Sequence, residues 1–136
     1  EALDRAMRFG RPGQYQLQAA ITAVHVRGAD TGTTDWKQIA ELYGALGEIA
    51  PSPVVELNRA VAVAMASGPQ AGLELVDALL AEPSLREYHL LPSVRGDLLA
   101  RLGRNDEARA ELERAASLTR NARERALLVE RAAALR

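Results

Sequence analysis

The sequence predicts an all-α protein in which antiparallel helical hairpins stack side by side, with about seven to eight helices. Three observations lead there. Of 136 residues, 48% are hydrophobic but only 4% aromatic, and the abundant Ala, Leu, Arg and Glu lose little conformational freedom in a helix. Apolar residues recur with a helical period almost without interruption, and each break falls at Pro or Gly, the residues that most readily end helices. The chain also resembles itself at an offset of 36 positions, the mark of a stacked repeat.

Each element has its own signals. Residues 1–9 place Leu3, Ala6 and Met7 at helical spacing with no capping residue ahead of them, which reads as a helix in a fragment of a longer polypeptide. After Pro12 and Gly13 a helix is expected from Tyr15 to Arg27, stopped by Gly28, with a polar loop from Ala29 whose end offers Thr34 or Asp35 as the next N-cap. The second helix puts Trp36, Ile39, Leu42, Tyr43, Leu46 and Ile49 on one face and ends at Pro51-Ser52-Pro53. Pro53 suits the first turn of a third helix through Ala66, because that turn needs no amide hydrogen; Gly68-Pro69 closes it. A fourth helix from Gln70 to Ala81 turns Leu73, Val76, Leu79 and Leu80 inward, and Pro83 ends the unit. The fifth runs from near Glu87 to Leu102, but Pro92 is tolerated only in a first turn, which moves the start toward Leu91. Gly103 stops it. The sixth spans Asp106 to Leu118, and Asn121 with Glu124 three residues on has the spacing of a capping box for a last helix to Leu135.

The 36-residue offset pairs Ala60 with Gly96, Gly72 with Ala108, Val63 with Leu99, Val76 with Leu112, Leu79 with Ala115 and Arg59 with Arg95. A small residue on each helix of a hairpin and a bulky one four positions later resembles the tetratricopeptide pattern, whose usual period of about 34 residues leaves two residues to a loop. The expected fold is therefore a single tetratricopeptide-like domain over residues 1–136, a right-handed superhelix. An earlier unit fits less well, because Ile39 stands where a small residue is expected. One hairpin cannot bury its apolar stripe, whereas stacked hairpins cover one another.

Composition excludes several functions. A formal net charge of −1 leaves no bulk basic surface for a phosphate backbone, so direct nucleic-acid contact is not expected. There is no cysteine, which removes disulfides, thiolate nucleophiles and thiolate metal sites together and suits a reduced cytoplasm. No apolar run reaches the roughly 20 residues that span a bilayer. Only His25 and His89 titrate near neutrality, they lie in different units, and no phosphate-cradling loop or nucleophile elbow appears. An enzyme, a cofactor and a metal are not expected. His25 reads as a ring packed at the end of its helix, Trp36 as a core anchor, and the charge runs 101–114 and 120–131 as solvated helical faces.

Binding is the better search, since stacked hairpins present a face built by the first helix of each unit. The repeat register places Leu57, Val61, Ala64 and Met65 on that face in one unit and Ser93, Asp97, Ala100 and Arg101 in the next. Asn58 and Arg59, with Arg95 one repeat on, either hydrogen-bond a partner or bridge neighbouring helices. Tyr15, Gln16 and Gln18 either satisfy backbone groups at the Pro12-Gly13 turn or form a contact surface. Such a surface suits a peptide or partner helix.

Six segments carry a resemblance to one family: residues 15–25 (Tyr15 to His25), Thr34-Asp35-Trp36, residues 50–55 (Ala50 to Val55), residues 57–62 (Leu57 to Ala62), residues 88–91 (Tyr88 to Leu91) and residues 97–104 (Asp97 to Arg104). In wording and order they resemble the C-terminal tetratricopeptide-repeat extension of extracytoplasmic-function (ECF) RNA polymerase sigma factors. Gln14 departs from the pattern, which more often has a second proline there. Both promoter-reading regions, sigma regions 2 and 4, are absent from this chain. The resemblance implies a bacterial, cytoplasmic interaction module that regulates transcription initiation by contacting the sigma regions of its own polypeptide, a protein partner or core RNA polymerase. The alternative is a free-standing repeat adaptor that binds a peptide or partner helix.

Overall fold

Helix starts in the folded chain follow local capping chemistry. The computed structural model describes residues 13–135, so the helix expected over residues 1–9 lies outside the described residues. Among the described residues there are seven α-helices: α1 (Gln14–Thr31), α2 (Trp36–Ile49), α3 (Pro53–Ser67), α4 (Pro69–Ala78), α5 (Leu90–Arg101), α6 (Asn105–Leu118) and α7 (Ala122–Ala133), with a 3₁₀ turn at Pro83–Leu85. The described residues contain no strand. Asp35 caps α2 by accepting the Gln38 amide at 3.1 Å. Ser52 caps α3 through the Val54 amide at 3.2 Å, with Pro53 in the first turn. Asn121 caps α7 by accepting the Glu124 amide at 2.9 Å. Each satisfies an amide that the helix itself leaves open.

Two helix ends differ from the sequence reading. Helix α1 does not stop at Gly28 but continues to Thr31, ending at Gly32 with φ 72°. Gly28 is there for close approach: a Cβ on it would lie 2.5 Å from Thr34 Oγ1 and 2.7 Å from Thr34 Cα. Helix α4 ends at Ala78, so Leu80 falls in the following turn, out of phase with the core, and is 51% exposed. Helix α5 begins at Leu90, next to the Leu91 start that Pro92 called for, and Pro92 lies in its first turn. It ends as expected: Gly103 takes φ 78°, and the Arg104 amide reaches back to the Leu99 carbonyl at 2.9 Å.

Consecutive helices pack as antiparallel hairpins, each against its neighbours in sequence, and α3 also touches α5. The core is accordingly a row of clusters. Leu17, Ile21 and Val24 of α1 meet Ile39, Leu42 and Leu46 of α2, with Ala62 of α3. Leu57, Ala60 and Ala64 on the other side of α3 join Leu73, Val76, Leu91, Leu98, Leu99 and Ala108. Leu112, Ala115 and Ala116 of α6 meet Leu128 and Ala132 of α7. A helix inside the stack must bury two faces, and alanines let α3 do so without holding its neighbours apart.

The small-residue repeat is the contact that sets hairpin spacing. A Cβ on Gly72 would lie 2.5 Å from Ala64 Cβ and 2.8 Å from the Ala60 carbonyl oxygen. One repeat on, a Cβ on Gly96 would lie 2.9 Å from Leu112 Cδ2 and 3.3 Å from the Ala108 carbonyl oxygen. Residues 60 and 96 thus hold equivalent places at successive crossings, with the glycine on the second helix in one hairpin and on the first helix in the next. The long connection between α4 and α5 is pinned by Leu85, 2% exposed, and by Glu82, which accepts both the Ser84 amide (3.3 Å) and its hydroxyl (2.9 Å).

Candidate functional site

In a stack with a constant repeat, equivalent residues of successive units face one another, and Val61, Ala64 and Met65 of one predicted set meet Asp97 and Arg101 of the other on this account, whereas Ser93 and Ala100 do not line the hollow they form. Val61 and Met65 are one turn apart on α3, Asp97 and Arg101 one turn apart on α5, and each pair is offset by 36 positions. Arg101 Nη1 donates to Met65 Sδ at 3.4 Å. Together with Ala64, Val94 and Leu98 they line a hollow of about 90 Å³. Asp97 is paired with Arg131 of α7, so the rim draws on a third helix. Leu57, expected on this face, instead lies in the core at 2% exposure. Arg131 and the apolar floor of Val94 and Leu98 were missed by sequence reasoning. Arg131 lies one repeat beyond Arg95 and Ala132 one beyond Gly96, a continuation of the register into the last helix that was there to be read.

The other predicted residues are not brought to this hollow. Arg95 is a bridge between helices: its Nε donates to Asp77 of α4 at 2.9 Å, and its Nη1 lies 3.5 Å from Glu111 of α6. Burial works against the charged guanidinium, but the hydrogen bond to Asp77 and the Glu111 charge outweigh it and raise the Arg95 pKa. Arg59 pairs with Glu56 on its own helix at 3.2 Å, and Asn58 is exposed beside it. Gln16 turns back on the chain, its Oε1 accepting the Gly13 amide at 2.9 Å. Tyr15 is 80% exposed, and Gln18 is also exposed, its carbonyl accepting the Thr22 hydroxyl at 3.1 Å.

The titratable residues have local partners. His25 packs edge-on against half-buried Trp36 with ring centroids 5.5 Å apart, which anchors the α1–α2 loop. His89 Nε2 lies 2.6 Å from Glu124 Oε1 and joins the start of α5 to the first turn of α7. The Glu124 side chain is thereby drawn toward His89, while Asn121 alone makes the cap contact to the Glu124 amide. Burial pushes the Tyr43 phenol up from its ordinary range. Among the described residues, no group of three or more His, Cys, Asp or Glu is placed to hold a metal ion. A second, open cleft of about 640 Å³ runs along the α2–α3 hairpin, lined by Glu41, Gly44, Gly47, Glu48, Glu56 and Arg59 among others. Its signal in the sequence was the pair Gly44 and Gly47, which strips side chains from one face of α2.

Comparison with known proteins finds a relative that this chain matches over part of that relative's length. A protein of Rhizobium meliloti (strain 1021), described by its name only as uncharacterized, is 48% identical over 126 residues, which cover 93% of this chain and 29% of that protein. The chain thus spans less than a third of the relative it matches. No family model matches, and no solved structure matches. No described helix is long and apolar enough to cross a membrane.

The arrangement is suited to holding another surface. The hollow combines an apolar floor with a guanidinium at its rim, while the carboxylate that lines it is already neutralised. Backbone groups on α3 and α5 are committed to helical bonds, so recognition there falls to side chains.

Proposed function

We propose that this chain is the helical-repeat portion of an ECF-type RNA polymerase sigma factor, a cytoplasmic, non-catalytic module of tetratricopeptide type that regulates transcription initiation. It acts by contacting the sigma regions of its own polypeptide, a protein partner or core polymerase, without touching DNA. The observation that carries this reading is the ordered run of sequence segments from Tyr15 to Arg104. The hairpin stack agrees with it, since such stacks serve as scaffolds for extended partners. The Rhizobium relative also leaves room for it, because most of that protein lies outside the matched segment.

The test is to delete residues 1–136 from the full-length factor and measure transcription from its promoters. Altered promoter-specific output is expected. Unchanged output under every growth condition would overturn the proposal, and a gene with no sigma regions before Glu1 would favour the free-standing adaptor instead.

A further inference from the structure

The hollow between α3 and α5 has an imbalance that identifies its occupant. Its two ionic residues are treated differently: Asp97 is taken by Arg131, whereas Arg101, exposed at the end of α5, makes no ion pair among the described residues. The guanidinium rests on the Met65 thioether at 3.4 Å, a weak acceptor for a strong charged donor. The floor is formed by Val61, Ala64, Val94 and Leu98, and Met65 stands at the rim with 43% exposure. At roughly 30 Å³ of liquid volume per water, the 90 Å³ of this hollow is the size of one branched aliphatic side chain. It is too small for a drug-sized metabolite.

We propose that this hollow seats an amphipathic segment of a partner protein that inserts one branched aliphatic side chain and offers a carboxylate one helical turn away. Residues three or four apart on a helix have Cβ atoms about 5–6 Å apart, which lets the anchor fill the floor while the carboxylate takes the Arg101 fork. That exchange replaces the thioether contact with a charge-assisted bond. The unneutralised positive charge makes an acidic segment the complementary partner and a basic one repulsive. This deepens the interaction-module reading by stating what the module recognises.

The test uses the full chain with labelled Val, Leu and Met methyl groups and a synthetic Ala-rich helical peptide of roughly 18 residues, carrying one Leu with a Glu four positions later. Methyl signals of Val61, Met65 and Leu98 should shift on titration. Changing the peptide Glu to Lys should weaken binding about tenfold, the scale of one hydrogen bond to a charged group. Arg101→Glu should reverse the preference in favour of the Lys peptide, and Arg101→Gln should abolish the preference without reversing it. Circular dichroism reports whether each variant keeps its helices. No shift up to millimolar peptide, binding indifferent to charge at position 101, or the same shifts on concentrating the protein alone, which would mark a second copy as occupant, would each overturn the proposal. Peptide binding with the charge reversal, alongside unchanged transcription after domain deletion, would keep this docking surface and remove the sigma-factor role. Altered transcription with no peptide shift would do the opposite.

Discussion

Replacing Gly72 by Ala tests the spacing on which the stack depends, because two opposing effects of known size meet there. In a helix interior, Gly→Ala is favourable by about 1 kcal/mol from backbone conformational freedom alone. The added Cβ would lie 2.5 Å from Ala64 Cβ and 2.8 Å from the Ala60 carbonyl oxygen, atoms that cannot swing away as a side-chain tip does. Ordinary contact requires α3 and α4 to part by roughly 1 Å, and overpacking of this kind costs about 1–3 kcal/mol, at the upper end where the obstructing groups are rigid. The net expectation is a loss of about 1–2 kcal/mol. With a urea m-value of about 2 kcal/mol per molar, the unfolding midpoint falls by roughly 0.5–1 M. The internal control is Gly44→Ala in the middle of α2, where the nearest atom to a new Cβ is Arg59 Nε at 3.9 Å; that change should raise stability by up to about 1 kcal/mol. Ala64→Gly combined with Gly72→Ala removes the nearer obstruction, so the double variant should be less destabilised than the sum of the singles by about 1 kcal/mol. A Gly72→Ala protein as stable as the parent, measured by urea unfolding, would refute the claim that close small-residue contact sets the distance between these helices.

Other expectations follow from single contacts. Asn121→Ala removes the α7 cap and should cost about 1 kcal/mol, with faster hydrogen exchange at the Glu124 amide as the local readout. Arg95→Ala strands Asp77 and Glu111 on two different helices and should cost about 1 kcal/mol; Arg59→Ala, whose pair is within one helix, should cost only a few tenths in the same chemical-denaturation assay. The paired hydrogen bonds from Arg104 to Glu107, at 2.9 and 2.7 Å, hold the Glu107 carboxyl below the usual carboxylate range. Because the folded-state pKa is the lower one, its contribution is complete above the ordinary glutamate pKa and is withdrawn as pH falls through the folded value. Glu107→Gln should therefore flatten the acid limb of a stability-against-pH curve and leave stability well below that limb unchanged relative to the parent.

Legibility varied with how local the deciding physics is. The caps at Asp35, Ser52 and Asn121 were readable because a short polar side chain acts on an amide two or three residues away. Gly103 was readable for the same reason, since only the local backbone conformation is at stake. Gly28 was misread as a stop: the same residue type serves positive φ and close approach, and Thr34, which crosses it, is positioned by the α1–α2 turn as a whole. Leu80 was misplaced because α4 ends at Ala78, one turn short of the expected Ala81, and the turn that follows carries Leu80 off the core phase.

The repeat offset places Val61 and Met65 beside Asp97 and Arg101, because a fixed period turns sequence equivalence into spatial adjacency. It left open which charged groups would be used up inside the molecule. Arg95 and Arg101 are the same residue type on the same helix, yet one lies between two carboxylates of adjoining helices and the other ends on a thioether. The sequence alone therefore determined the all-helical class, the hairpin register and the small-residue crossings, since these follow from local conformational preference and periodicity. The tertiary structure alone decided the pairing of Asp97 with Arg131 and the resting of Arg101 on the Met65 thioether, because the distances between groups on separate helices are set by how those helices pack.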